Sequence, residues 1–220
     1  MTDRPILFSG PMVRALLAGT KTQTRRTLGQ FDVFRLSDGS EAPVSCLQIE
    51  GQPLPRVTIG RVVTERQLKA AVGDRLWVRE TWQGLSFGDY QPTKSSQCEV
   101  RYAATDPCAD LDAESRGYSW RPSIFMPRWA SRITLTVTDI RVERLQDCSD
   151  SDAIAEGIER SKDFPDRFMT PDGDYAVPAV AYQRLWESIN GPGSWDANPW
   201  IAAYTFTVQR GNIDQIARAA

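Results

Sequence analysis
The sequence predicts an α+β domain, a small β-barrel with short helices packed on its outside. Three observations point there. Short runs rich in β-branched residues read as strands, the clearest being ITLTVTDIRVERL (133–145) and WIAAYTFTV (200–208). Three short stretches that end at Gly19, Gly157 and Asn190-Gly191 read as helices lying among them. The 220 residues, 41% hydrophobic and 25% charged, suffice for one domain with a buried core. That domain is expected over 1–210, with insertions near 28–55, 84–125 and 159–177 and a tail at 211–220.

Taken in order, PILF (5–8) reads as a strand. Ser9 is placed to cap the next helix, Pro11 suits its first turn, and Met12, Val13, Leu16 and Leu17 share a face. Gly19 ends that helix, and residues 23–27 run extended. RVTIGRVV (56–63) carries strand-like residues. AVGDRLWVRETW (71–82) reads as a turn at Gly73-Asp74 followed by a strand, with Leu76 and Val78 on one face and Trp77 and Arg79 on the other. Residues 84–118 form an excursion with one strand near Glu99–Tyr102. In 133–145, Ile133, Leu135 and Val137 alternate with threonines, then the apolar phase slips to Ile140 and Val142, which predicts a bulge near Thr138–Asp139. Ser149 and Asp152 form a capping pair for a helix that Gly157 stops. Residues 159–177 read as a loop, and 178–191 as an amphipathic helix with Ala181, Tyr182, Leu185, Trp186 and Ile189 on one side.

Composition excludes several chemistries. The chain has no histidine, which removes a Ser-His-Asp triad, a Cys-His dyad and the HExxH zinc site. Its four cysteines, Cys46, Cys98, Cys108 and Cys148, form no CxxC pair and read as reduced thiols. No metal or cofactor is expected. The net charge of −2 means that any nucleic-acid contact must come from a local basic patch. No apolar run approaches the ~20 residues that span a bilayer, so a cytoplasmic protein with no membrane partner is expected. Asp147, Asp150, Asp152 and Glu156 raise the idea of a metal-dependent nuclease, but acids ahead of a helix serve as caps and suit its dipole.

The stretch LLAGTKTQTRR (16–26) resembles the signature of the ASCH domain, a PUA-like β-barrel family, through Gly19, Lys21, Thr24 and Arg26. GDRLWVRETW (73–82) resembles that family's GD-x-L-x-V strand. The capped helix ending in Glu156 and the strand IAAYTFTV follow in the same order. The likeness covers roughly 5–27, 71–82, 132–158 and 200–208. The intervening stretches, including WRPSIFMPRWASRI and SWDANPW, resemble the longer ASCH proteins of bacterial and phage genomes.

The resemblance implies a link to RNA. A small bacterial ASCH enzyme removes the acetyl group of N4-acetylcytidine, and its catalytic lysine, threonine and glutamate match Lys21, Thr24 and Glu156. The implied ligand is a modified pyrimidine nucleoside, a nucleotide or RNA; the alternatives are a non-catalytic RNA-binding module and an RNA-cleaving protein. In one scheme Thr24 is the nucleophile and a neutral Lys21 its base, which requires the lysine to fall from about 10.4 to near 7, at roughly 4 kcal/mol. In the other, a charged Lys21 stabilises the oxyanion while Glu156 activates water. Arg26, Arg79 and Arg128 are candidate phosphate contacts, and Trp77 and Trp129 candidate stacking surfaces. Against these stand ordinary readings: a solvated basic helix exit at 21–26, a strand threonine, an exposed glutamate and core tryptophans.

Overall fold
A computed structural model describes residues 2–28, 33–35, 41–43 and 68–217. In chain order its elements are β1 (Asp3–Leu7), α1 (Gly10–Ala18), β2 (Gln23–Thr27), β3 (Val33–Arg35), β4 (Glu41–Pro43), β5 (Arg75–Arg79), β6 (Trp82–Leu85), β7 (Pro92–Thr93), β8 (Glu99–Tyr102), α2 (Ala113–Arg116), β9 (Ile133–Arg144), α3 (Asp150–Ala155), β10 (Phe168–Met169), β11 (Tyr175–Ala176), α4 (Pro178–Asn190) and β12 (Trp200–Arg210). The class is mixed α+β, as expected. The expected strand at 56–63 and Cys46 lie outside the described residues.

Five strands form the central sheet in the order β1-β5-β9-β12-β2, parallel between β1 and β5 and antiparallel elsewhere. Among the described residues this sheet does not close into the expected barrel: β1 and β2 are its two edges. A side chain bridges them instead, as Arg26 Nη2 donates to Leu7 O at 2.8 Å. A charged side chain set between two edges keeps their backbones from pairing.

The apolar run IAAYTF in β12 is continuous because both faces of the strand are covered. Ala202, Tyr204 and Phe206 join a core with Phe8, Val13, Leu16, Leu135 and Val137. Ile201 and Ala203 point the other way, into a second core with Ala153, Ala181, Tyr182 and Trp186 from α3 and α4. The β9–β12 register slips as Thr205 faces Asp139 while Phe206 faces Val137, so Thr138 is the extra residue of the expected bulge.

Three stretches differ from expectation. The 159–177 loop contains the β10–β11 hairpin, which buries Phe168 and Ala176 against the second core. The 84–118 excursion belongs to a three-stranded sheet, β7-β6-β8, with α2 after it as a fourth helix. Two-residue strands such as β7, β10 and β11 are too short to show a period of two in sequence. Residues 211–217 are part of the fold rather than a tail: Ile213 is fully buried, and Arg75 donates to Ile216 O at 2.8 Å. Among the described residues no helix is long and apolar enough to cross a membrane.

Candidate functional site
Lys21 lies between α1 and β2, where the chain turns sharply. Gly19 takes the left-handed conformation (φ 75°) that ends α1. The Thr20 and Lys21 N–H groups both donate to Ala15 O, at 3.0 and 3.2 Å. Thr22 N–H donates to Ala155 O at 2.9 Å, and this sets Lys21 opposite Glu156 in an isolated antiparallel bridge. Gly157 makes that approach feasible. Its φ is +83°, and a Cβ there would stand 2.7 Å from Lys21 Cβ and 2.8 Å from Ala15 Cβ.

The Lys21 side chain is fully buried. Its Nζ donates to Glu156 O at 2.7 Å and to Glu156 Oε2 at 2.8 Å, and it lies 5.5 Å from the Phe8 ring centre. The other carboxylate oxygen, Oε1, accepts from Arg25 Nη1 at 3.2 Å and from the Tyr182 hydroxyl at 3.4 Å. Arg25 also meets Glu143 Oε1 at 3.0 Å and Asp152 Oδ2 at 3.4 Å. Burial pushes the Lys21 ammonium below its ordinary range; the Glu156 carboxylate opposes this, and the charges of Arg26 and Arg25 add to it. Burial raises the Tyr182 hydroxyl well above the usual tyrosine range, and Glu156 raises it further.

A cleft of about 230 Å³ opens beside this pair, between β2 and α4. Thr24, Arg25, Arg26, Glu156, Tyr182 and Trp186 contribute to its wall. Thr24 is buried, and among the described residues its hydroxyl has no hydrogen-bond partner. Lys21 does not itself line the cleft; it stands behind Glu156. The site can therefore present a hydroxyl, a carboxylate and a guanidinium to a ligand, with a desolvated amine hydrogen-bonded to the carboxylate.

Lys21, Thr24, Arg26 and Glu156 thus come together, and the other candidates do not join them. Arg79 stacks over Trp77 at 5.4 Å, and Trp77 is buried in β5. Arg128 is bound to Asp214 Oδ1 at 2.6 Å and Asp3 Oδ2 at 2.7 Å, where it anchors residues 211–217. Trp129 packs edge-on against Trp82, 5.8 Å between ring centres. Asp150 and Asp152 act at helix starts: Asp152 completes the capping box of α3, and Asp150 Oδ1 accepts from Ala179 N–H at 3.2 Å in α4. No group of three or more Asp, Glu or Cys among the described residues is arranged to hold a metal.

Sequence reasoning missed Arg25 as the hub of the acids, along with Glu143, Asp152 and Tyr182 as its partners. One signal was present. In β2, alternation puts Thr24 and Arg26 on one face and Arg25 on the other, so a buried Arg25 needs acids from β9 and α3. Comparison with protein-family models, with curated proteins and with solved structures finds no match to this chain.

Proposed function
We propose that the cleft takes a modified pyrimidine nucleoside or nucleotide and hydrolyses an N4-acyl amide of cytidine. The observation that carries this reading is convergence. Lys21 and Glu156, 135 positions apart, are hydrogen-bonded beside a cleft that Thr24 also lines. These are the three positions at which the sequence resembles the ASCH amidohydrolase. A PUA-like barrel left open at the Arg26 seam is the fold we infer with it.

Of the two schemes, a neutral Lys21 fits better. When Lys21 gives up its proton, Glu156 keeps its charge against Arg25, so no carboxylate is left unpaired. In this scheme Lys21 Nζ turns from Glu156 Oε2, where it now donates, to accept the Thr24 proton as Thr24 Oγ1 attacks the acyl carbon. The C–N bond breaks, the proton passes from Lys21 to the departing amine, and cytidine leaves. Water then attacks the acyl-threonine ester and releases the carboxylate. The non-catalytic RNA-binding and RNA-cleaving readings draw less support: Lys21 and Arg25 are neutralised internally, and Arg128 is held by Asp3 and Asp214.

The test is chromatography of N4-acetylcytidine incubated with the protein, with Thr24→Val and Lys21→Ala run beside it and circular dichroism confirming that each is folded. Release of cytidine by the parent chain, lost in both variants, supports the reading. Turnover unchanged in folded Thr24→Val removes the nucleophile assignment.

A further inference from the structure
A second cleft, of about 160 Å³, lies at the seam between the sheet edges, against Ile6 and Leu7 of β1, Leu76 of β5 and Tyr204 of β12. It is mostly apolar. Two residues line both clefts, Arg26 and Lys69. Their charges differ in one respect from those of Lys21 and Arg25. The deeper pair is compensated by Glu156, Glu143 and Asp152. Arg26 reaches a neutral carbonyl, Leu7 O, and a ring, Phe8 at 5.4 Å; among the described residues no carboxylate is bonded to it, although the Glu156 charge acts on it from a distance. Lys69 is exposed, its main-chain N–H tied to the Tyr204 hydroxyl at 2.8 Å, and its ammonium has no partner among the described residues.

Two cations at the junction of two clefts, neither bonded to a carboxylate among the described residues, suit an anion there. We propose that Arg26 and Lys69 form a phosphate subsite, and that the ligand is a pyrimidine nucleotide rather than a free nucleoside. The inference rests on the reading of the first cleft as a pyrimidine site. The base and its N4 substituent occupy that cleft, beside Thr24 and Glu156. The phosphate leaves it at the seam, between the Arg26 guanidinium and the Lys69 ammonium. Arginine supplies a fixed fork of donors and lysine a mobile point charge, a pairing suited to a phosphate at the mouth of a site.

The experiment is titration of the intact protein with cytidine, cytidine 5′-monophosphate, cytidine 3′-monophosphate and inorganic phosphate, followed by calorimetry and repeated on Lys69→Gln. A preference of about tenfold or more for one monophosphate over cytidine is expected, shrinking toward one in Lys69→Gln and at high salt. The 5′ and 3′ arms tell which end of the sugar faces the seam. Equal affinity for cytidine and both monophosphates overturns the phosphate subsite and leaves the pyrimidine reading standing. Binding of inorganic phosphate but of no cytidine compound, with the phosphate lost in Lys69→Gln, supports the anion subsite and overturns the pyrimidine reading. No binding of any of the four overturns both.

Discussion

Lys21 Nζ stands 2.8 Å from Glu156 Oε2 and 2.7 Å from the same residue's backbone oxygen, with no part of the lysine exposed. A buried pair of this kind is costly to break and cheap to remove whole. Glu156→Gln takes the carboxylate from the buried Lys21 while Arg25 keeps Glu143 and Asp152, and is expected to cost about 3–5 kcal/mol. Lys21→Met leaves the carboxylate on Arg25 and Tyr182 and is expected to cost less. The double variant should cost less than the sum of the two. Urea unfolding of the four proteins measures this; strict additivity would mean that the pair is not coupled.

Gly157 tests the approach that creates the pair. Gly157→Ala meets both a left-handed backbone and two Cβ atoms closer than 3 Å. Gly193→Ala is the control, because its φ is also positive, at +75°, with nothing within 4 Å. The control is expected to cost about 1 kcal/mol and Gly157→Ala at least about 2. Thermal unfolding compares them, and equal losses would show that the close contact carries no energy.

Acid stability should depend on Asp152. Burial opposes its ionisation, but hydrogen bonds from Ser149 and Arg141 and the charge of Arg25 outweigh burial and hold its carboxyl at about 2. A carboxyl lowered on folding adds stability above the unfolded value of 3.8, lost as pH falls through about 2. Asp152→Asn should therefore be less stable than the parent at neutral pH and flatter between pH 4 and 2. Denaturant midpoints across that range decide the matter, and parallel curves would count against the Asp152 assignment.

Alkaline stability should depend on Tyr182. Its hydroxyl is raised on folding, so its contribution is present below about 10 and lost as pH rises beyond that. Burial likewise lifts Tyr102 to about 12, partly opposed by Arg132. Lys21 acts with the opposite sign: it is lowered on folding, so it makes stability rise with pH just below 10.5. Tyr182→Phe should retain more of its stability between pH 10 and 12 than the parent. A loss over that range as steep as the parent's would contradict the account.

Much of this was legible in the sequence, because the signals were local. Gly19 and Gly157 mark the two turns that bring Lys21 and Glu156 together. The threonine alternation in 133–138 located both the strand and its bulge, since one extra residue must flip the apolar face. Ser149 and Asp152 formed their capping box. What stayed hidden depends on distance. The β2 alternation turns Arg25 away from Thr24 and Arg26, but nothing local names Glu143 and Asp152 as its partners or shows that Arg128 is spent on Asp3 and Asp214 rather than on a ligand. That the sheet stays open among the described residues was hidden for the same reason, because it turns on how two remote edges meet at Arg26 and Leu7.

The most direct measurement is release of cytidine from N4-acetylcytidine by the purified chain, read by chromatography against Thr24→Val. The account predicts cytidine and acetate in equal amounts from the parent chain and none from the folded variant. Absence of product from the folded parent chain, or equal rates from the two proteins, would contradict it.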